Sequence, residues 1–279
     1  MKFSVVTPTL NAANSLNRLF ACMEAQSHVD WELLVVDGGS IDATASMVRR
    51  RSLKDPRIRL IEHPGSSIYE AIFAGFDEGV GSVFCWLNAD DIYAPWALAT
   101  VSDVMKRNSI DWVTGLPGAW DAAGCLRFVR PATLWPRALL RRGLFHGDCL
   151  GYIQAESTFF SRCLYDGITP AERQFILSAK LAGDFRLWKT FASRSRLIGV
   201  PALLGGFAIH GGNRSIVEKE QYQAEVRLSG NFSMPRAIGR RLAVVLRYVS
   251  ALHSLITVSR ADLTLQRELG ISEDVRQEA

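Results

Sequence analysis

Val83-Phe84-Cys85-Trp86-Leu87-Asn88-Ala89-Asp90-Asp91 reads as a strand that runs out into acid. Five apolar residues in a row suit a strand covered on both faces of a parallel sheet. In open α/β sheets the ligand crevice lies outside the carboxyl ends of such strands. Hard divalent cations take oxygen ligands, and one or two carboxylates with phosphate oxygens make a Mg²⁺ or Mn²⁺ site. Asn88, Asp90 and Asp91 are therefore candidate rim residues of a metal-diphosphate site. The same residue types also suit a solvated turn.

The segments before this stretch repeat one pattern. Phe3-Ser4-Val5-Val6-Thr7 predicts a first strand, and Pro8-Thr9-Leu10-Asn11 a turn, because proline cannot continue a central ladder. Leu16, Leu19, Phe20 and Met23 share a helical face, with Asn14 or Ser15 as cap. Leu33-Leu34-Val35-Val36 is a second buried strand, ending at Asp37-Gly38-Gly39-Ser40. Asp42 can cap the next helix, which closes on Arg49-Arg50-Arg51, cations suited to its dipole. Ile58–Ile61 reads as a third strand, and Ile68–Phe76 as a helix. After the quoted stretch, Pro95 suits the first position of a helix running to about Arg107. This βαβαβαβα order predicts a mostly parallel, doubly wound sheet flanked by helices.

Residues 115–150 predict short strands and loops, and Ser157–Phe160 a strand. Thr169-Pro170-Ala171-Glu172 is a capping box with proline at the first helical position. Asp184 opens a helical stretch with Phe185, Leu187, Trp188 and Phe191, and apolar residues 203–209 lead to His210-Gly211-Gly212. Residues 236–260 hold five Arg and no acid. There Ile238, Leu242, Val245, Val249, Leu252 and Ile256 form an apolar stripe opposite Arg236, Arg240 and Arg247. Such a helix either packs on its own domain or lies on an anionic membrane surface.

Bulk composition narrows the classes. The 279 residues carry a net charge of +4, and only six of the 32 basic residues are Lys. That balance gives no case for a nucleic-acid partner. Five cysteines without paired spacing argue against a disulfide framework or a zinc site and fit a reducing compartment. No signal-peptide core and no apolar run of about 18 residues is visible, so no spanning helix is expected. The first strand-helix turn lacks both GxGxxG and GxxxxGK[ST], against dinucleotide binding of the usual kind and against P-loop chemistry.

Three segments together resemble the inverting glycosyltransferases of family 2, with the GT-A fold. They are Val5–Asn11, Val35–Thr44 (Val-Val-Asp-Gly-Gly-Ser-Ile-Asp-Ala-Thr) and Leu87–Asp91. The resemblance covers about residues 1–215. It implies a GT-A domain over 1–215, with a nucleotide-binding half at 1–110 and an acceptor half at 111–215. Residues 216–279 would then be a helical extension with a possible role at the membrane.

What the resemblance implies about sites is as follows. Thr7, Pro8, Thr9, Asn11 and Asp37 would hold the nucleotide, with Ser66 in the donor-contacting turn. Asn88-Ala89-Asp90 falls on the DxD motif, with Asp90 as metal ligand, neutral Asn88 toward the ribose and Asp91 in support. Asp184, in Gly183-Asp184-Phe185-Arg186-Leu187, would be the catalytic base. His210 would ligate the metal or meet the diphosphate, and Arg214 would neutralise the leaving group. Gln154 and Glu156 would meet acceptor hydroxyls. Trp112, Trp120 and Trp135 are candidates for stacking on sugar or for core packing.

The expected activity is metal-dependent transfer of a sugar from a nucleotide-diphospho-sugar, UDP-linked, to a glycan or lipid-linked acceptor in cell-surface or exopolysaccharide synthesis. The expected location is cytoplasmic, peripheral at the inner face of the plasma membrane. The competing readings are a degenerate GT-A domain that binds a glycan or partner without catalysis, and a nucleotidyltransferase.

Overall fold

A computed structural model describes residues 1–121, 123–147, 149–209, 218–229, 235 and 237–250. The predicted alternation is present: β1 (Phe3–Thr9), α1 (Ala13–Glu24), β2 (Trp31–Asp37), α2 (Thr44–Ser52), β3 (Ile58–Glu62), α3 (Ile68–Glu78), β4 (Val83–Trp86). β5 (Ile92–Tyr93), α4 (Ala97–Asn108), β6 (Trp112–Thr114), β7 (Gly118–Asp121), β8 (Leu126–Val129) and α5 (Arg137–Arg141) follow. A 3-10 turn at Ala155–Ser157 leads to β9 (Thr158–Ser161), α6 (Arg162–Asp166), α7 (Pro170–Leu177), α8 (Gly183–Ala192), β10 (Ile198–Gly199) and β11 (Gly205–Ile209). We label the helix Lys219–Leu228 α9 and the helical residues 237–250 α10.

The main sheet has the order β10-β6-β9-β4-β1-β2-β3. β4, β1, β2 and β3 run parallel, and β9 is antiparallel to both β4 and β6. A smaller sheet, β5-β11-β7-β8, stands beside it. The quoted stretch is buried as its composition requires. Phe84 and Trp86 enter one core layer, while Val83, Cys85 and Leu87 enter the other. Chain order reverses between β1 and β4, so a crevice opens at their carboxyl ends.

Proline is tolerated inside β1, contrary to the predicted turn at Pro8. Val6 C=O accepts from Leu87 N–H on the β4 side, and Thr9 C=O from Gly38 N–H on the β2 side. By alternation Pro8 faces the β4 side, where the last paired residue of β4 is Trp86 opposite Val6. Its missing N–H therefore breaks no ladder bond.

Other expectations also shift. α1 has no side-chain cap from Asn14 or Ser15. Instead Asp42 Oδ2 accepts from Ala13 N–H, and Thr44 Oγ1 from Ala12 N–H, so the β2–α2 loop satisfies the start of α1. Asp42 is not the cap of α2, a place taken by Ala43 without a side-chain bond; it lies one residue earlier and accepts from Thr44 N–H. Pro95 lies one residue before Trp96, the cap of α4, rather than inside the helix. The Thr169 capping box forms as read. Trp112, Trp120 and Trp135 are all buried, which is core packing rather than an open stacking platform.

The stripe expected on 236–260 is only partly described, since residues 236 and 251–260 lie outside the described residues. Within α10 the packed side is Gly239, Ala243, Leu246 and Ser250, whereas Ile238, Val245 and Val249 are exposed. Small residues let the helix approach Cys149 closely, and Gly239 leaves no room for a side chain without displacing it. The helix thus packs by Gly239, Ala243 and Leu246 with Leu242 of the stripe at the edge of the core, while the β-branched members of the stripe stay exposed.

One tight contact fixes α3 on the sheet. A Cβ at Gly75 would lie 2.4 Å from Val6 Cγ1 and 3.1 Å from Val36 Cγ2. Gly75→Ala should therefore lower the unfolding free energy by about 1–3 kcal/mol. Combined with Val6→Ala, the loss should be smaller than the sum of the two by about 1 kcal/mol in urea titrations. Additive losses would show that this contact is not the constraint.

Candidate active site

A cleft of about 590 Å³ opens at the carboxyl ends of β1 and β4. Pro8, Thr9 and Asn11 line one side, Asn88, Ala89 and Asp90 the floor, and Glu156 and Asp184 the far wall. Ile68, Tyr69, Ile72, Trp86, Leu181, Phe207 and Tyr222 add apolar and aromatic surface, and Lys180 contributes a cation at the rim. The sheet brings Asn88–Asp90 and Asp184 to one cavity although 94 positions separate Asp90 from Asp184 in the numbering (184 − 90).

Two indole rings set that relation. Trp86, at the end of β4, stacks on Trp188 of α8 with centroids 5.3 Å apart and planes 12° apart. Trp188 also stacks on Trp112 at 5.7 Å. The strand that delivers Asn88–Asp90 and the helix that begins at Asp184 are thereby in direct ring contact.

The floor is built from side-chain bonds. Asn88 Nδ2 donates to Asp91 Oδ2 at 2.8 Å, and Ala208 N–H donates to Asp91 Oδ1 at 2.8 Å. Asp91 is 1 % exposed and does not line the cleft; it ties the Asn88 loop to β11 from beneath. It opens onto β5 and caps no helix. Arg18 of α1 donates to the Asp90 carbonyl oxygen at 2.9 Å. Asn88 Oδ1 is buried and has no hydrogen-bond partner among the described residues. Among the described residues no group of three or more His, Cys, Asp or Glu side chains is arranged to hold a metal ion.

Glu156 hydrogen-bonds Asp91, and both carboxyls are held well toward their protonated forms. Burial is the main cause for each, followed by neighbouring negative charge: Glu156 and Asp90 act on Asp91, and Asp184 and Asp90 act on Glu156. Asp184 is half-buried and lifted to about 6, again chiefly by burial. Its Oδ1 accepts from Phe185 N–H at 2.7 Å and from Tyr69 Oη at 3.5 Å, and Tyr222 supplies a further side-chain hydrogen bond. Tyr69 Oη also donates to Leu181 C=O at 2.6 Å. Gly183 is what admits Tyr69 here: a Cβ would lie 2.6–2.7 Å from atoms of its ring.

Several expected contacts are occupied by the protein itself. Asp37 is 4 % exposed and lies beneath the cleft rather than on its lining. Its carboxylate accepts from Ser40 N–H, Ser40 Oγ and Thr9 Oγ1. Thr7 is fully buried, with an unpartnered hydroxyl and no face on the cleft. Ser66 donates to His63 C=O and also stays off the lining. Gln154 spends both ends of its amide on Gly118, 2.9 Å to the N–H and 2.8 Å to the C=O. His210 and Arg214 lie outside the described residues. The sequence reading missed Lys180, Phe207 and Tyr222; the last stands in a polar helix with no apolar run to draw notice.

Comparison with known proteins finds glycosyltransferases by sequence and by fold. The profile of Glycosyl transferase family 2 matches residues 4–127. An uncharacterised glycosyltransferase of Nostoc is 31 % identical over 111 residues, 39 % of this chain and 34 % of its own length. The match thus spans about a third of that relative. A PGL/p-HBAD biosynthesis glycosyltransferase of Mycobacterium bovis is 26 % identical over 265 residues, 88 % of this chain and 89 % of its own. Among solved structures, Staphylococcus aureus TarS 1-349 in complex with UDP-GlcNAc has a TM-score of 0.61 at 16 % identity, covering 90 % of this chain and 73 % of that one. The mannosyltransferase PcManGT of Pyrobaculum calidifontis, in complex with GDP-Man and Mn²⁺, has a TM-score of 0.58 at 16 % identity, covering 98 % and 81 %. The fold is that of the GT-A glycosyltransferases.

The raised pKa of Asp184 has a consequence for stability. Its carboxyl holds a proton up to about 6 when folded, against an ordinary value of 3.8. The folded chain thus binds more protons between these values, and the stabilisation is full below about 4 and lost as pH rises through 6. The difference corresponds to at most about 3 kcal/mol, less for a carboxyl with part of its surface in the cleft. Asp184→Asn should melt roughly 2–8 °C above the wild type at pH 8, with the gap closing toward pH 4. A gap independent of pH would mean that burial does not hold this carboxyl in its acid form.

Proposed function

We propose a sugar-transfer chemistry for this chain, starting from the glycosyl transferase family 2 domain that residues 4–127 form. The substrate is a nucleotide-diphospho-sugar, and the acceptor is a hydroxyl of a glycan or lipid-linked glycan. One observation carries the reading: the Asn88–Asp90 loop and Asp184 line the same cleft at the carboxyl ends of β1 and β4. A donor with a uridine or guanosine diphosphate head suits this cleft, since TarS was solved with UDP-GlcNAc and PcManGT with GDP-Man. We favour the uridine nucleotide.

The residues present fit a divalent cation. The donor set at the floor is all oxygen: the Asp90 carboxylate at the cleft and the orphaned, buried Asn88 Oδ1. Asp90 would hold the ion, with diphosphate oxygens completing its shell; His210 is a further candidate ligand. When bound, Mn²⁺ or Mg²⁺ would supply positive charge to the departing diphosphate.

The chain's own residues supply the rest. Asp184, ionised above about 6, accepts the proton of the acceptor hydroxyl. The acceptor oxygen bonds to the anomeric carbon as the carbon–phosphate-oxygen bond breaks, and the nucleoside diphosphate leaves with the electron pair. A single in-line displacement inverts the anomeric configuration. Trp86, Tyr69 and Tyr222 present flat surface to the sugar and exclude water from the reacting centre. Glu156 lines the cleft and shares a hydrogen bond with Asp91, which places a carboxyl oxygen where a sugar hydroxyl can meet it.

The exposed side of α10 supports a location at a membrane. Ile238, Val244, Val245, Tyr248 and Val249 are exposed there, and Arg240 and Arg241 are exposed beside them. Apolar side chains with flanking guanidinium groups suit an anionic bilayer face. No described helix is long and apolar enough to cross a membrane.

Asp184→Asn should abolish transfer while nucleotide affinity stays within a few-fold, and Asp90→Ala should remove the Mn²⁺ dependence of UDP binding in calorimetry. Nucleotide binding lost with Asp184→Asn would make that residue structural. The full chain should also co-sediment with phosphatidylglycerol vesicles and less with phosphatidylcholine ones, and Arg240→Glu with Arg241→Glu should weaken this severalfold. Equal sedimentation with both lipids removes the membrane assignment.

A further inference from the structure

α9 lies outside the residues matched by the family profile, yet it reaches the reacting centre. Tyr222 and Glu225 are three residues apart, so they share a helix face. Glu225 accepts three consecutive backbone bonds, from Lys180, Leu181 and Ala182 N–H at 3.0, 3.0 and 2.9 Å. These amides lead into α8, whose second residue is Asp184. A helix start leaves such donors without partners, and a carboxylate is the group that satisfies them best. One residue of α9 thus anchors the turn that carries Asp184.

The second contact is to Asp184 itself. Tyr222 lines the cleft and hydrogen-bonds the Asp184 carboxyl. Beyond the helix, Ser229 accepts Arg186 Nε at 2.9 Å through its hydroxyl and Lys189 Nζ at 2.7 Å through its carbonyl. α9 is therefore fastened along the length of α8. Val226 packs with Ala182 and Phe185 between the two.

We infer that α9 is part of the catalytic apparatus, with Tyr222 and Glu225 as positioning residues that aim the Asp184 carboxylate into the cleft. This rests on Asp184 acting as the base. The groups facing Asp184 are Tyr69 from α3, Glu156 from the 3-10 turn, Lys180 at the rim, and Tyr222 with Glu225 from α9. Of these, the Tyr69 and Tyr222 hydroxyls lower its pKa by donating to the carboxylate. Removing one donor leaves burial less opposed, so Asp184 should hold its proton to higher pH.

The test uses the full chain and whichever of UDP-N-acetylglucosamine, UDP-glucose and GDP-mannose gives turnover with Mn²⁺. Tyr222→Phe should move the acid limb of the kcat profile up by roughly half to one pH unit and lower kcat at pH 6 roughly two- to sixfold. In the metal-free protein, ¹³C NMR titration of the Asp184 carboxyl should shift in the same direction. Glu225→Gln, which keeps an acceptor oxygen, should retain more activity than Glu225→Ala at equal fold content by circular dichroism. An unmoved acid limb and an unmoved carboxyl titration in Tyr222→Phe overturn the inference, as does equal loss in the two Glu225 variants. A fully active Asp184→Asn would instead overturn the base assignment and leave these positions as scaffold.

Discussion

The contact between Trp86 and Trp188 governs the site. β4 ends at Trp86 and releases Asn88, Ala89 and Asp90, while α8 begins at Gly183 and carries Trp188 one turn beyond Asp184. Stacked indoles hold both surfaces to a fixed separation, with Trp112 and Phe191 filling the space behind them. Aromatic burial of this kind resists sliding, because each ring loses many small contacts when displaced. The spacing between the Asn88–Asp90 loop and Asp184 is thus a packing property of the core.

Around that frame the protein accepts an electrostatic penalty. Asp91, Glu156 and Asp184 come from three separate parts of the chain and are all drawn out of water near one another. The arrangement is tolerated because backbone amides and hydroxyls reach in: Ala208 to Asp91, Phe185 and two tyrosines to Asp184. Concentrated acidic groups poised near neutral pH are common where a fold binds cations or moves protons. Here the ordering of the three is graded. Asp91 is fully enclosed and structural, Glu156 is at the boundary, and Asp184 faces the cavity.

Much of this was legible in the residues. Buried strands announce themselves by uninterrupted apolar runs, so the strands at Val83–Leu87 and Leu33–Val36 were legible, and of the acids that follow them Asp90 lines the cleft while Asp37 and Asp91 lie beneath it. The Thr169 capping box was legible for the same local reason. Pro8 was misjudged because its side of β1 has no partner beyond Trp86, a fact of pairing that no single segment carries. The cap of α1 was missed because Asp42 and Thr44 act across 29 and 32 residues. Asp37 and Gln154 illustrate a different limit: a polar side chain at the right strand end can be wholly engaged by Ser40 or by the Gly118 backbone. Tyr222 was invisible because its meaning lies in a helix pairing, not in its own neighbours along the chain.

The anchoring of α8 by Glu225 bears on the order in which the molecule is made. Ribosomal synthesis delivers the sheet, the cleft floor and α8 well before residue 225 emerges, and domains begin to organise as they appear. Until then the amides of Lys180, Leu181 and Ala182 have no carboxylate to meet, and the start of α8 is free to fray. A nascent chain can therefore own the cleft before it owns an aligned Asp184. Under the proposed function, competence for transfer would arrive late in translation, with the last turns of α9.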